Sequence, residues 1–171
     1  FHEIKILPPG LTKGFDLTAY NERNEYKIPN LVINTTTLNT GHAWHFTSSW
    51  VGEPDARKNF AHTIDTNHRL EQLRFDGKDR ANTNVPRISL ADPEKEKKRS
   101  DKLKCLSLAD AVTASACVPG LFTPMSIHDL YWNSNGSETV VELVDGGVFD
   151  NQGIDALYVE KCTDIICSDA S

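Results

Sequence analysis

The stretch ELVDGGVFDNQGID, residues 142–155, decides how this chain is read. An apolar, β-branched run, TVVELVD (139–145), has the composition of a strand and ends on Asp145. Gly146 and Gly147 then remove both neighbouring side chains, and Asn151 stands where it could cap a helix over GIDALYVEK (153–161). Two readings follow. Asp-Gly-Gly between apolar segments is ordinary turn chemistry. An acid at the C-terminal edge of a strand is also where open α/β sheets place ligand-contacting residues. Glycines there would permit positive φ or let another group approach the backbone. The helix N-terminus that follows favours an ionised carboxylate, while the charge of Asp150 opposes it.

Working outward, MSIHDLYW (125–132) is a second strand, joined to the first by the turn-rich NSNGSE. Upstream, Ser107 and Asp110 have capping-box spacing at the start of a helix through LADAVTASACV. Ala109, Ala111, Ala114, Ser115 and Ala116 would let that helix lie close to a sheet, and Pro119-Gly120 ends it. Nearer the beginning, Leu31–Thr37 and His42–Ser48 flank Asn39-Thr40-Gly41 and predict a β-hairpin. By the two-residue period His42, Trp44 and Phe46 share one face, with Ala43, His45 and Thr47 opposite. Trp44, Phe46 and Trp50 read as core. TDIICSDAS (163–171) reads as a last strand.

The middle zone, 53–104, is polar. HRLEQLRFDGKDR (68–80) predicts a short helix ending near Asp76-Gly77. ANTNVPRISLADPEKEKKRSD (81–101) reads as a surface loop, with Pro86 and Pro93 breaking any helix. A segment this long suggests a lid, a binding loop or an insertion. Strands alternating with helices predict an α/β layered protein with a mixed sheet.

Composition narrows the functions. At 171 residues, 39% hydrophobic and 25% charged, the chain has the make-up of one globular domain, or a large part of one, and is long enough for a real core. It contains no apolar run near the ~18 residues of a membrane-spanning helix. A net charge of −6 argues against a nucleic-acid partner. The basic cluster Lys95–Lys104 is interleaved with acids and reads as a solvated loop, or alternatively as a docking patch for an anionic surface. Cys105, Cys117, Cys162 and Cys167 fit no zinc pattern and are expected as small, mostly buried side chains of a reducing compartment. With no basic-then-apolar leader, a cytoplasmic location is expected. His42 and His45 would face opposite sides of a strand and could not ligate one metal ion. No metal or other cofactor is expected. A Gly-x-Ser-x-Gly elbow is absent, and so is a glycine-rich loop for an oxyanion or phosphate.

Three blocks together resemble the C-terminal half of a patatin-like phospholipase domain: LVINTTTLNTGHAWHF (31–46), LSLADAVTASACVPGLFTP (106–124) and VVELVDGGVFDNQGI (140–154), in family order. The resemblance implies a three-layer α/β/α fold with a mostly parallel central sheet, all 171 residues forming the C-terminal part of one domain, with 53–104 as a variable insertion or lid. It implies a lipid acyl hydrolase with a Ser–Asp dyad, and a lipid or ester substrate met at a membrane surface. Asp145 would be the dyad acid, Gly146 and Gly147 the motif glycines, and Asn151 a helix cap. The serine and the oxyanion loop would lie in an N-terminal half upstream of Phe1, so this chain alone is expected to be inactive. A carboxylate is a weak base, so such a dyad requires an acid partly withdrawn from water and touching the serine hydroxyl directly. The competing reading is a non-catalytic binding domain that keeps the fold.

Overall fold

A computed structural model describes residues 17–54, 69–75, 92–133 and 135–168. In chain order the elements are α1 (Leu17–Arg23), β1 (Ile33–Thr37), β2 (Ala43–Phe46), β3 (Trp50–Gly52), β4 (Leu73–Arg74), α2 (Pro93–Cys105), α3 (Leu108–Ser115), β5 (Met125–Trp132), β6 (Glu138–Asp145), α4 (Gly147–Asp150) and α5 (Ile154–Val159). The strands form one sheet in the order β4-β3-β2-β1-β6-β5.

Every strand pairing in that sheet is antiparallel. The expected mostly parallel sheet is therefore not the arrangement of the described residues. The cause is connection length: β1–β2, β2–β3 and β5–β6 are joined by short turns, and a parallel pair needs a crossover of a dozen residues or more. Tyr131, on edge strand β5, donates its hydroxyl to the carbonyl of Glu71, just ahead of the opposite edge strand β4. The sheet thus curls around its core.

That core lies on one face. Trp44, Phe46, Val51, Leu73, Ile127, Val141 and Leu143 alternate inward along their strands, and Leu103 of α2, Leu106 at its C-cap, and Ala111 and Ala114 of α3 cover them. Trp44 meets Phe46 and Tyr131 edge to face. Ala111 and Ala114 are fully buried, so the small residues of α3 do let it settle directly on the sheet. Its start is held by the complete capping box, Asp110 N–H to Ser107 Oγ and Ser107 N–H to Asp110 Oδ2.

Four expectations need correction. Residues 93–105 are helix α2, not a loop. Pro93 occupies the first helical position, where its missing N–H costs nothing, and Asp92 caps Glu94. Acids in the first turn, Lys102 and Lys104 in the last, and the Glu94–Lys98 pair supply the rest. The short helix predicted within 68–80 is replaced, where described, by β4 at Leu73–Arg74; His68 and 76–80 lie outside the described residues. Residues 163–168 form no strand, and Ile166 stands 97% exposed, because no strand among the described residues offers them a ladder; 169–171 lie outside the described residues. Of the cysteines only Cys117 is buried. The described part of 53–104 contributes Leu73 and Leu103 to the core.

Candidate functional site

Asp145 is the last residue of β6. In the ladder it stands opposite Thr35 of β1, and Thr35 stands opposite Trp44 of β2, so the three form one row across the sheet on the core face. Leu143 and Val141, two and four residues back, point the same way and are buried. The row therefore carries Asp145 to the rim of the core, where it is half-buried.

Its main chain is tied on two sides. Asp145 N–H donates to the carbonyl of Cys117, 2.9 Å away, just past the end of α3. Thr36 Oγ1 donates to the carbonyl of Asp145 at 3.0 Å. The carboxylate itself accepts one hydrogen bond, from Gly147 N–H to Oδ1 at 2.6 Å. Oδ2 accepts none among the described residues.

The glycines act through space rather than through dihedral freedom. Gly146 has φ −64 and ψ −29, an ordinary helical conformation. A Cβ there would stand 2.5 Å from the carbonyl oxygen of Asn34 and 2.8 Å from its carbon. A Cβ on Gly147 would lie 2.9 Å from Asp145 Oδ1 and 2.8 Å from Asn151 Oδ1. The first glycine lets the turn press onto β1, and the second leaves the carboxylate uncovered. The expectation of positive φ is met in this loop only at Gly153, with φ 68.

Asn151 does not cap the following helix. It closes α4 and its side chain turns back toward Asp145. The first turn of α5 is satisfied instead by Asp150, whose Oδ2 accepts from Asp155 N–H at 2.7 Å. The Asn151 side chain lies over Gly147 instead and makes no hydrogen bond to the first turn of α5.

Asn34 is the residue that sequence reasoning missed. Its backbone abuts Gly146, its Nδ2 lies 3.1 Å from where a Cβ on Gly153 would be, and its Oδ1 is buried without a hydrogen-bond partner. Asn34 and Gly146 are far apart in sequence, so only the β1–β6 pairing brings them together.

The opposite face of the sheet sets the local electrostatics. Burial lowers the pKa of His45 to about 4, with the charge of Asp150 pulling it back up. The imidazole packs against Trp50 and is neutral at physiological pH. Burial raises the Asp155 carboxyl, the Asp150 charge adds to this, and Arg69 opposes it. Elsewhere Glu53 is raised by burial, and the Thr40 hydroxyl and His42 ring that contact it counter that rise. No group of three or more metal-ligating side chains assembles among the described residues.

Against protein families, the patatin-like phospholipase model matches residues 7–158. The chain belongs to the patatin-like phospholipase family. The match spans most of its length, the polar middle zone included, and makes it a member of a lipid-hydrolase family of the α/β class. No curated protein and no solved structure matched the chain. Within the patatin-like match lie all of β1–β6, the glycine pair and Asp145.

Proposed function

We propose that this chain supplies the acid of a Ser–Asp dyad in a lipid acyl hydrolase of the phospholipase A or esterase type. One observation carries the reading: a half-buried carboxylate at a strand end, uncovered by the glycine beside it, with one oxygen held by Gly147 N–H and the other unbonded among the described residues. A serine hydroxyl becomes an effective nucleophile only when a base accepts its proton. Oδ2 of Asp145 takes that proton as the serine oxygen attacks the ester carbonyl, then returns it to the departing alkoxide. Water then cleaves the acyl-enzyme, giving its proton to Asp145, which hands it back to the serine.

On this reading the serine elbow, the oxyanion donors, the parallel strands and the third layer belong to an upstream half of the same domain, and the substrate is met at a lipid surface. The segment 53–104 would act as a lid or variable insertion over the acyl site. On the same reading the 171-residue chain alone is inactive, because it carries no Gly-x-Ser-x-Gly elbow to supply the nucleophile.

The test is ester and phospholipid turnover by the complete protein and by its Asp145→Asn variant. The asparagine keeps the shape but cannot act as a base, and turnover is expected to fall by about a hundredfold or more. Turnover that survives Asp145→Asn removes Asp145 from the chemistry. A complete protein that binds lipid without turning it over is a binding domain with a hydrolase fold.

A further inference from the structure

Within the loop that carries Asp145, Asn151 has no evident structural employment. It ends a single-turn helix, makes no side-chain hydrogen bond among the described residues, and leaves the capping of α5 to Asp150. Its side-chain oxygen nevertheless lies 2.8 Å from the point above Gly147 where a Cβ would stand, and Asp145 Oδ1 lies 2.9 Å from that same point. The two side chains converge over the bare face of one glycine.

We propose that Asn151 is a positioning residue for the Asp145 carboxylate, and that Gly147 lacks a side chain so that the two can meet. This rests on the dyad reading above. The carboxamide has a donor edge and an acceptor edge related by a half-turn of its terminal torsion. With its donor edge toward Asp145, Nδ2–H joins Gly147 N–H on the carboxylate. Two donors then hold the rotamer in which Oδ2 stays open to the nucleophile's proton. The backbone of Asn151 is fixed in helical geometry with φ −63 and ψ −27, so the amide is presented without reordering the loop. The other titratable groups on the surrounding elements are Asp150 of α4, Asp155 and Tyr158 of α5, Glu138 and Glu142 of β6, Asp110 of α3 and His45 of β2, with Cys117 and Arg69 in the connecting segments; Asp150 and His45 influence one another, and Asp155 responds to Asp150 and Arg69.

The experiment compares Asn151→Asp with Asn151→Ala in the complete protein, reading kcat, KM and the pH profile. Aspartate keeps the size of asparagine but donates nothing when ionised and puts a second negative charge beside the first. Hydrogen bonds to charged groups predict a drop of about ten- to a hundredfold in kcat for either variant, with KM little changed. Asn151→Asp should also move the acidic limb of the profile to higher pH, since like charges disfavour each other's ionisation. Asn151→Asp that matches the wild type in kcat and profile overturns the proposal. So does a loss confined to KM or to thermal stability. Gly147→Ala, where it folds, should reproduce the Asn151→Ala defect, and the double variant should be no worse than either, because both remove one contact; full additivity argues against it. Asp145→Asn run in parallel separates the two failures. An active Asp145→Asn enzyme refutes the dyad, whereas an inactive one beside a normal Asn151→Asp refutes only the role of Asn151.

Discussion

Gly146→Ala tests the packing that positions the site, and its sign is informative. Gly146 has φ −64, and in an unobstructed helical turn an alanine at such a position is worth about 0.4–1 kcal/mol through the unfolded state. Here the added methyl would meet the carbonyl oxygen of Asn34 at 2.5 Å, its carbon at 2.8 Å and its Cβ at 3.0 Å. Two of those atoms are backbone of a strand paired on both sides, so they cannot swing away as a flexible side chain would. Overpacking against such a wall costs about 1–3 kcal/mol, and the displaced α4 turn puts this case near the top of that range. Subtracting the helical gain leaves a net loss of about 2 kcal/mol, equivalent to a Tm lower by about 4–8 °C for a domain of this size. Thermal and urea unfolding of the complete protein, with Gly146→Ala beside wild type, measure it. A variant as stable as wild type, or more so, would refute the contact between the Asp-Gly-Gly turn and β1 and the site geometry built on it.

Two further outcomes follow from the core and from His45. Trp44→Ala empties a fully buried site and should cost about 3–5 kcal/mol, read as a lower urea midpoint; a loss under 1 kcal/mol would contradict the face assignment. The folded-state pKa of His45 lies below its ordinary value of 6.5, so the group stabilises the fold above that value, and this contribution is lost as pH falls toward about 4. The shift corresponds to about 3 kcal/mol across that window. Glu53, raised by burial, works in the opposite sense: its contribution is present at low pH and is lost as pH rises through its folded-state value. The expectation is therefore placed on the difference between wild type and His45→Gln, which should narrow or reverse in favour of the variant between pH 6.5 and 4. A constant difference would remove His45 as an acid-sensitive element.

Some of this protein was written locally, and there the sequence sufficed. The strand TVVELVD, the strand MSIHDLYW and the Ser107–Asp110 capping box depend on side-chain alternation and on groups three residues apart, and each forms where its pattern stands. Helix α2 was equally local, but Asp92-Pro93 is a start signal, and reading proline only as a breaker hid it. The family, too, was legible in the sequence alone, and its model matches residues 7–158.

Partnership was what the sequence could not contain. An alternating strand states which side chains share a face but not which strand lies beside it, and the antiparallel β1–β6 pairing joins segments more than a hundred residues apart. That pairing places Asn34 under Gly146 and sets Trp44, Thr35 and Asp145 in one row. From its letters Asp-Gly-Gly reads as a turn whose glycines permit positive φ or a close approach, and the pairing with β1 and the placement of Asn151 decide for the approach: what each glycine supplies is the absence of a Cβ.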